Sequence, residues 1–144
     1  MAERFKLIPT PHLILIKDGR ILLLRRFDTG YEDGNYSVVA GHLNGNETFF
    51  QAAVREAKEE VGIDIRAGDL EVLHVMHRKV QNEERIDFFI QARIWKGEPK
   101  NTEPNKCDDL RWFDVDNLPT NTIPYIRHAI DCIRNKVFYG EFGW

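Results

Sequence analysis

The sequence predicts a mixed α/β fold, in which a central β-sheet is packed against helices. Two strand-like apolar runs lie at 12–17 and 20–26, and the Asp18-Gly19 pair between them is a strong signal for a β-hairpin. Helical patterns interrupt and follow the remaining strands, so a sheet with helices packed on it accommodates all of these elements. The further strands are predicted at 36–40, 70–79, 85–95 and 110–113.

Two segments are predicted to be helical. The first runs from about Phe49 to Val61, where Thr48 and Gln51 fit a capping box and Gly62 stands at a position that favours a left-handed residue. The second is predicted over about 123–137, with a proline in its first turn. The first helix has one apolar stripe that is expected to pack on the sheet, formed by Phe50, Ala53, Val54, Ala57 and Val61.

Length and composition limit the functions that the chain can have. Its 144 residues suit one domain, predicted over 1–144, and 42% hydrophobic with 30% charged residues is typical of a globular protein. The net charge of -3 does not favour nucleic acid, whose binding usually needs a basic excess. No apolar run is long enough for a membrane span or a signal peptide, so a cytoplasmic protein is expected. Cys107 and Cys132 lack the spacing of a disulfide or zinc framework.

The chemistry is concentrated in 41–63, GHLNGNETFFQAAVREAKEEVGI. A helix there places Glu56, Glu59 and Glu60 on one flank, and such a flank is commonly no more than a solvated acidic face. Here it lies beside the apolar stripe, and the preceding glycine-bearing loop can bring backbone close to a ligand. Clustered carboxylates are the hard oxygen ligands that Mg²⁺ prefers, so the residues alone indicate a metal site.

The same stretch resembles the Nudix box, G-x5-E-x7-R-E-U-x-E-E-x-G-U, where U is an aliphatic residue. Ala57 is the one soft match, because it is small where the pattern prefers a bulkier aliphatic side chain. So many specified positions in register make a chance match improbable. The matching residues are Gly41, Glu47, Arg55, Glu56, Glu59, Glu60, Gly62 and Ile63.

The resemblance implies a Nudix fold, a mixed sheet sandwiched between helices with the box as a loop–helix–loop. It also implies a bound Mg²⁺, for which Mn²⁺ could substitute. Glu56 and Glu60 match the leading metal ligands, and Glu59 matches a supporting one. The carbonyl of Ala40, just before the box, matches a further ligand. The general base varies within the family, and in the MutT-like branch it is the residue matching Glu56. Arg55 and Glu47 match the pair that orients the catalytic helix.

Outside the box the resemblance implies less. Glu103 in the run WKGEPKNTEP is the candidate for an extra metal ligand from a loop, with Glu98 as the second choice. An exposed loop glutamate is an equally good interpretation. Arg26 and Arg85 are candidate substrate contacts. Asn121 is similar in position to a base-reading asparagine of MutT-like enzymes, although an asparagine before a helix is more often a cap.

The expected activity is hydrolysis of a nucleoside triphosphate, either canonical or oxidised as in 8-oxo-dGTP, to the monophosphate and pyrophosphate. The alternatives are Nudix hydrolysis of ADP-ribose, a dinucleoside polyphosphate, a nucleotide sugar or coenzyme A. The proline that marks ADP-ribose enzymes after the box is absent, since 78–80 read Arg-Lys-Val. A non-catalytic nucleotide-binding module ranks lower, because every box carboxylate is present. The expected partner is a small-molecule nucleotide, and a homodimer is common in the family.

Two other features are interpreted as packing. His74 and His77 are three residues apart in a strand, so they face opposite sides and make a poor metal pair. The aromatic tail at 138–144 is unusual for a chain end, which is normally polar. It is expected to pack on the sheet, on the substrate pocket or across a dimer interface.

Overall fold

The structure is a computed structural model that describes residues 2–144. It contains eight strands, two α-helices and one short 3₁₀ turn at Ala67–Asp69. In that described part of the chain, no helix has both the length and the apolar character needed to cross a bilayer. The elements in chain order are β1 (Ile8–Lys17), β2 (Arg20–Arg26), β3 (Tyr36–Ser37), β4 (Val39–Ala40), α1 (Phe49–Val61), β5 (Leu70–Val80), β6 (Glu83–Ala92), β7 (Cys107–Asp114), α2 (Pro124–Arg134) and β8 (Tyr139–Phe142).

The first hairpin forms where the Asp-Gly signal predicts it. Asp18 and Gly19 both have positive φ, 53° and 74°, as the tight turn of a two-residue hairpin requires. β1 begins at Ile8, several residues before the predicted start, because its first part pairs in parallel with β6. Pro9 and Pro11 lie in that part, and proline lacks the amide hydrogen that a strand ladder uses.

β1 is the centre of the sheet. It pairs antiparallel with β2 and β4 and parallel with β6, and the main path of the sheet runs β3-β2-β1-β6-β5-β8 with β7 added on β2. The predicted strands at 70–79 and 85–95 are β5 and β6, which form an antiparallel hairpin. Its turn is shorter than predicted, since β6 already begins at Glu83.

The helices cover the two faces of the sheet, so the predicted mixed α/β architecture is confirmed. Alternate residues of β1 point to opposite sides, and this periodicity separates two cores. Leu13 and Leu15 pack in the core that contains α1, whereas Ile14 packs with α2. The α1 residues in the first core are Ala53, Ala57 and Val61, and the α2 residues in the second are Tyr125, Ile126, Ala129 and Ile130.

α1 has the predicted bounds because both ends are capped as the sequence indicates. The Thr48 side chain accepts from the amide of Gln51, whose own side chain accepts from the amide of Thr48. Gly62 ends the helix in a left-handed conformation, with φ 71°. The cap fixes where α1 ends, and the packing of Ala53, Ala57 and Val61 in the core sets the rotation of the helix and the direction in which the box carboxylates point.

The second helix was predicted to reach 137, and the structure shows that it ends at Arg134. The chain then turns through Lys136, at φ 57°, so that β8 can add in parallel to the edge of β5. The aromatic tail therefore extends the sheet as an edge strand, with Phe142 packed against the second core and Phe138, Tyr139 and Trp144 largely exposed. His74 is fully buried behind it and bonds the Val137 carbonyl, while His77 is half-buried and contacts Glu84.

Candidate active site

The box helix opens onto a cleft of about 1000 Å³. The cleft lies between α1, the ends of the central strands, the loop after β2 and the turn between β5 and β6. Most of the candidate residues from the sequence line it together. These are Arg26, Ala40, Glu56, Glu59, Glu60, Arg85 and Glu103. Glu98 lies on a separate shallow surface, so Glu103 is the residue in position to add a carboxylate.

Arg55 lies at the centre of the box contacts. Its Nε and Nη2 donate to the Glu47 carboxylate at 3.1 and 2.8 Å, and its Nη1 donates to Glu56 at 2.8 Å and Glu59 at 3.2 Å. Nη2 also donates to the carbonyl of His42 at 3.1 Å. The hydrogen bonds from Arg55 lower the pKa of Glu47. These contacts join the loop before α1 to the helix, as an orienting pair must.

The space at this junction admits only a glycine at position 41. A Cβ at this position would overlap Oε1 and Cδ of Glu56 and lie 2.8 Å from its Oε2. Its φ is not in the left-handed region, so the requirement comes from close approach and not from backbone conformation. The first box glycine thus makes room for the Glu56 carboxylate against the loop.

Glu56 and Glu60 are carboxylates in an unfavourable setting. Burial raises the pKa of Glu60 well above its ordinary value, and the negative charges of Glu56 and Glu103 raise it further. Burial also raises the pKa of Glu56, against the lowering effect of Arg55. Glu60 accepts a hydrogen bond from the amide of Ala40 at 3.1 Å, and its side chain is in hydrogen-bonding contact with Glu56. A bound cation would relieve this repulsion, so the donor set fits a divalent metal.

The carboxylates do not already form a closed metal cage. Among residues 2–144, no three His, Cys, Asp or Glu side chains converge as ligands. Glu56 and Glu59 are turned toward Arg55, and Glu60 toward the Ala40 amide. Small side-chain rotations would be needed to bring them around one ion. Hard oxygens from α1, β4 and the loop at Glu103 nevertheless face the same space.

The two candidate arginines line the cleft and the candidate asparagine does not. Arg26 is held by the loop after β2, donating to the Tyr31 carbonyl at 2.6 Å and Thr29 Oγ1 at 3.1 Å. Arg85 donates to His42 Nε2 at 3.1 Å. Asn121 lies outside the cleft lining, and its amide donates to the Gly34 carbonyl at 2.7 Å. Its position there braces the loop before β3.

Sequence reasoning missed a buried polar group in the wall of the cleft. Arg78 forms a bidentate ion pair with Asp87, with Nε–Oδ2 2.6 Å and Nη2–Oδ1 3.2 Å, and its guanidinium stacks 3.6 Å from the Tyr125 ring centroid. The Tyr125 hydroxyl lies 3.0 Å from His12 Nε2. One signal was available, since Asp87 is a charged residue between the apolar Ile86 and Phe88 of β6. Without the pairing register, that signal does not show that the two charges meet.

Several curated hydrolases with different named substrates are similar to this chain. An NAD-capped RNA hydrolase NudC of Chromobacterium violaceum is 30% identical over 129 residues, 85% of this chain but 46% of that protein. The chain spans about half or less of the curated NudC relatives that it matches. An oxidized purine nucleoside triphosphate hydrolase of Danio rerio is 28% identical, over 74% of this chain and 66% of that protein. An ADP-ribose pyrophosphatase of Methanocaldococcus jannaschii is 27% identical, over 85% of this chain and 71% of that protein.

Structural and family comparisons agree with the box. The crystal structure of a MutT NUDIX hydrolase from Burkholderia pseudomallei superposes with a TM-score of 0.80 and 27% identity, covering 88% of this chain and 98% of that one. The model of the NUDIX domain family matches residues 9–131, which include the whole box and most of the sheet. The chain therefore belongs to the Nudix family.

Proposed function

We propose that the chain is a divalent-metal-dependent pyrophosphohydrolase that cleaves a nucleoside triphosphate to the monophosphate and pyrophosphate. One observation carries the proposal: the box carboxylates and two basic side chains, Arg26 and Arg85, line the same cleft. Clustered carboxylates hold a cation, and arginines bind phosphate oxygens. A pyrophosphate group could contact both at once in a space of about 1000 Å³.

The metal would be held by Glu56 and Glu60, with Glu59, Glu103 and the carbonyl of Ala40 as further oxygen donors. When bound, Mg²⁺ neutralises phosphate charge and lowers the pKa of water. Mn²⁺ suits the same oxygens. These assignments rest on the shared cleft and on the raised pKa values of Glu56 and Glu60.

Glu56 is the proposed general base. Its Oε1 accepts from Arg55 at 2.8 Å, and Oε2 is the oxygen proposed to accept a proton from the attacking water. Arg55 and Glu47 are positioning residues, because they hold α1 against the loop and have no place in the cleft lining. Arg85 is proposed to orient the phosphates, with His42 Nε2 and the Glu83 carboxylate as the acceptors that hold its guanidinium.

The choice of a triphosphate rests on the resemblance of the box to the MutT-like branch and on the Danio rerio relative, named for oxidised purine nucleoside triphosphates. ADP-ribose is the second candidate, favoured by the Methanocaldococcus jannaschii relative. RNA is a weaker candidate despite the NudC relatives, since a net charge of -3 gives little attraction for a phosphate backbone. A homodimer is part of the proposal, and light scattering after size-exclusion chromatography tests it.

The decisive experiment measures pyrophosphate and phosphate release with Mg²⁺ from canonical and oxidised nucleoside triphosphates, ADP-ribose, diadenosine polyphosphates and nucleotide sugars. Glu56→Gln and Glu60→Gln are expected to lower kcat by about 100-fold or more, since each removes a charged group of the reacting site. Glu71→Gln is the matched control, because Glu71 is exposed on β5 and pairs with Arg93. If ADP-ribose is cleaved and none of the triphosphates releases pyrophosphate, the triphosphate assignment is contradicted.

A further inference from the structure

Thr10, Arg78 and Tyr125 form one wall of the cleft, supported by His12 and Asp87, and are called here the polar floor. We propose that the polar floor reads the nucleobase, and that it selects bases carrying a carbonyl oxygen over bases carrying an amino group at the same position. The inference rests on the proposed triphosphatase function and goes beyond it, because it names the base class and the residues that choose it.

The Arg78 guanidinium is fixed before any ligand arrives. Its side chain is 4% exposed, and Asp87, which holds two of its nitrogens, is fully buried. The ring of Tyr125 covers one face of the guanidinium plane. Among the described residues, Nη1 donates to no protein atom, and Arg78 faces the cleft. The structure thus presents a rigid donor with unused capacity.

Thr10 supplies a second unused group. It is 6% exposed, it lines the cleft, and its Oγ1 is buried without a hydrogen-bond partner in residues 2–144. Thr10 pairs in register with Asp87 across β1 and β6, so the two side chains lie on the same face of the sheet. A buried hydroxyl without a partner is unfavourable, and a ligand atom that bonds it removes that penalty.

His12 and Tyr125 hold the floor in place and leave no donor of their own for a ligand. Burial lowers the pKa of His12 to about 4, so the ring is neutral at pH 7. Its Nδ1 lies 3.1 Å from the Thr10 carbonyl and must donate to it, which makes Nε2 the acceptor for the Tyr125 hydroxyl at 3.0 Å. The hydroxyl proton of Tyr125 is therefore already used.

The floor is close enough to the carboxylates for one nucleotide to span both. The amide of Gly41 donates to the carbonyl of Pro11, which lies between Thr10 and His12 on β1. Arg78 lies on β5, which is two strands from β1, or roughly 10 Å at ordinary strand spacing. Phosphates held near Gly41 and Glu56 would thus place the attached base over β6 and β5.

The charges of the floor favour a neutral acceptor over a phosphate. Asp87 balances the charge of Arg78, and its carboxylate would repel an anion. Arginine offers donors only, so the atom that it meets must be an acceptor. A guanine or hypoxanthine base presents O6 and N7 as adjacent acceptors, whereas adenine places an amino donor at the first of these positions.

The test compares hydrolysis of ITP and ATP, whose bases differ by an oxo group in place of the amino group. Wild-type protein is expected to show a kcat/KM for ITP at least about tenfold above that for ATP, the size of one good base contact. Thr10→Val and Arg78→Lys are expected to bring the ratio near one. Thr10→Val keeps the shape of the side chain and removes an unpartnered hydroxyl, so its Tm should not fall.

Thr122→Val is the matched control. Thr122 is also buried, but its hydroxyl donates to the Pro119 carbonyl at 2.7 Å and it does not line the cleft. It should lose stability and keep the ITP preference. A wild-type ratio near one, or a ratio that survives both floor variants, would overturn the inference while leaving the triphosphatase proposal standing. If no triphosphate is cleaved, the affinities for IMP and AMP measured by calorimetry test base selection by the polar floor independently of catalysis. Equal affinities would overturn the inference.

Discussion

Replacing Gly41 with alanine tests whether the Glu56 carboxylate acts from the position that the structure gives it. The new Cβ would overlap that carboxylate, which is the mobile end of a side chain and can move aside. Movement would break the 2.8 Å contact with Arg55 Nη1. A misplacement of about 1 Å at a reacting group lowers the rate by roughly 100-fold, so kcat should fall by about that factor.

The effect on folding should be small, because the three atoms nearest to the new methyl group all belong to the end of the Glu56 side chain and φ is not in the left-handed region. We expect the free energy of unfolding to fall by less than about 1 kcal/mol, the size of the one partly exposed ion pair that is lost. The assay is pyrophosphate release at saturating Mg²⁺, together with thermal unfolding. Gly68→Ala is the control, since nothing lies within 4 Å of a Cβ there. Retention of wild-type kcat in Gly41→Ala would refute the proposed role and position of Glu56.

Two further predictions concern pH. His12 takes up a proton at about 6.5 when unfolded and at about 4 when folded, so the free energy of unfolding should fall by about 3 kcal/mol from pH 7 to pH 4. The free energy of unfolding, measured with urea at several pH values, should depend less steeply on pH in His12→Gln than in the wild-type protein. An equal dependence on pH would contradict the burial of a neutral ring. In metal-free protein the raised pKa values of Glu56 and Glu60 give stability at low pH that is lost as pH rises through them. Mg²⁺ should therefore raise Tm more at pH 8 than at pH 5, and an equal rise would speak against these carboxylates as ligands.

The box helix could be predicted closely because its determinants are local. Thr48, Gln51 and Gly62 cap α1 through contacts within a few residues, and the box spacing then sets which side chains share a flank. The start of β1 could not be predicted in the same way. Its first residues are strand only because β6 pairs with them in parallel, and Pro9 and Pro11 argue locally for the opposite.

The site shows the same division between local and distant causes. The contacts of Arg55 with Glu47 and Glu56 lie within one loop and helix, so the spacing of these residues in the sequence is enough to predict them. The polar floor depends on the register of β5 with β6 and on a tyrosine from α2. The end of α2 likewise depends on the pairing of β8 with the edge of β5. No local pattern near Arg134 indicates that pairing.

The parallel pairing of β1 with β6 also sets the order in which the protein can assemble. Ile8 meets Arg85, so the chain must close a loop of 77 residues, at an entropic cost of about 4 kcal/mol. The β1–β2 and β5–β6 hairpins and the capped helix α1 need only short-range contacts, and such elements form early. In a chain emerging from the ribosome, the box would thus be synthesised before the residues of β6 that pair with β1. The pairing of β1 with β6 is the step that brings Thr10 and His12 beside Arg78. The time at which nucleotide affinity appears during refolding would therefore show when these two strands pair.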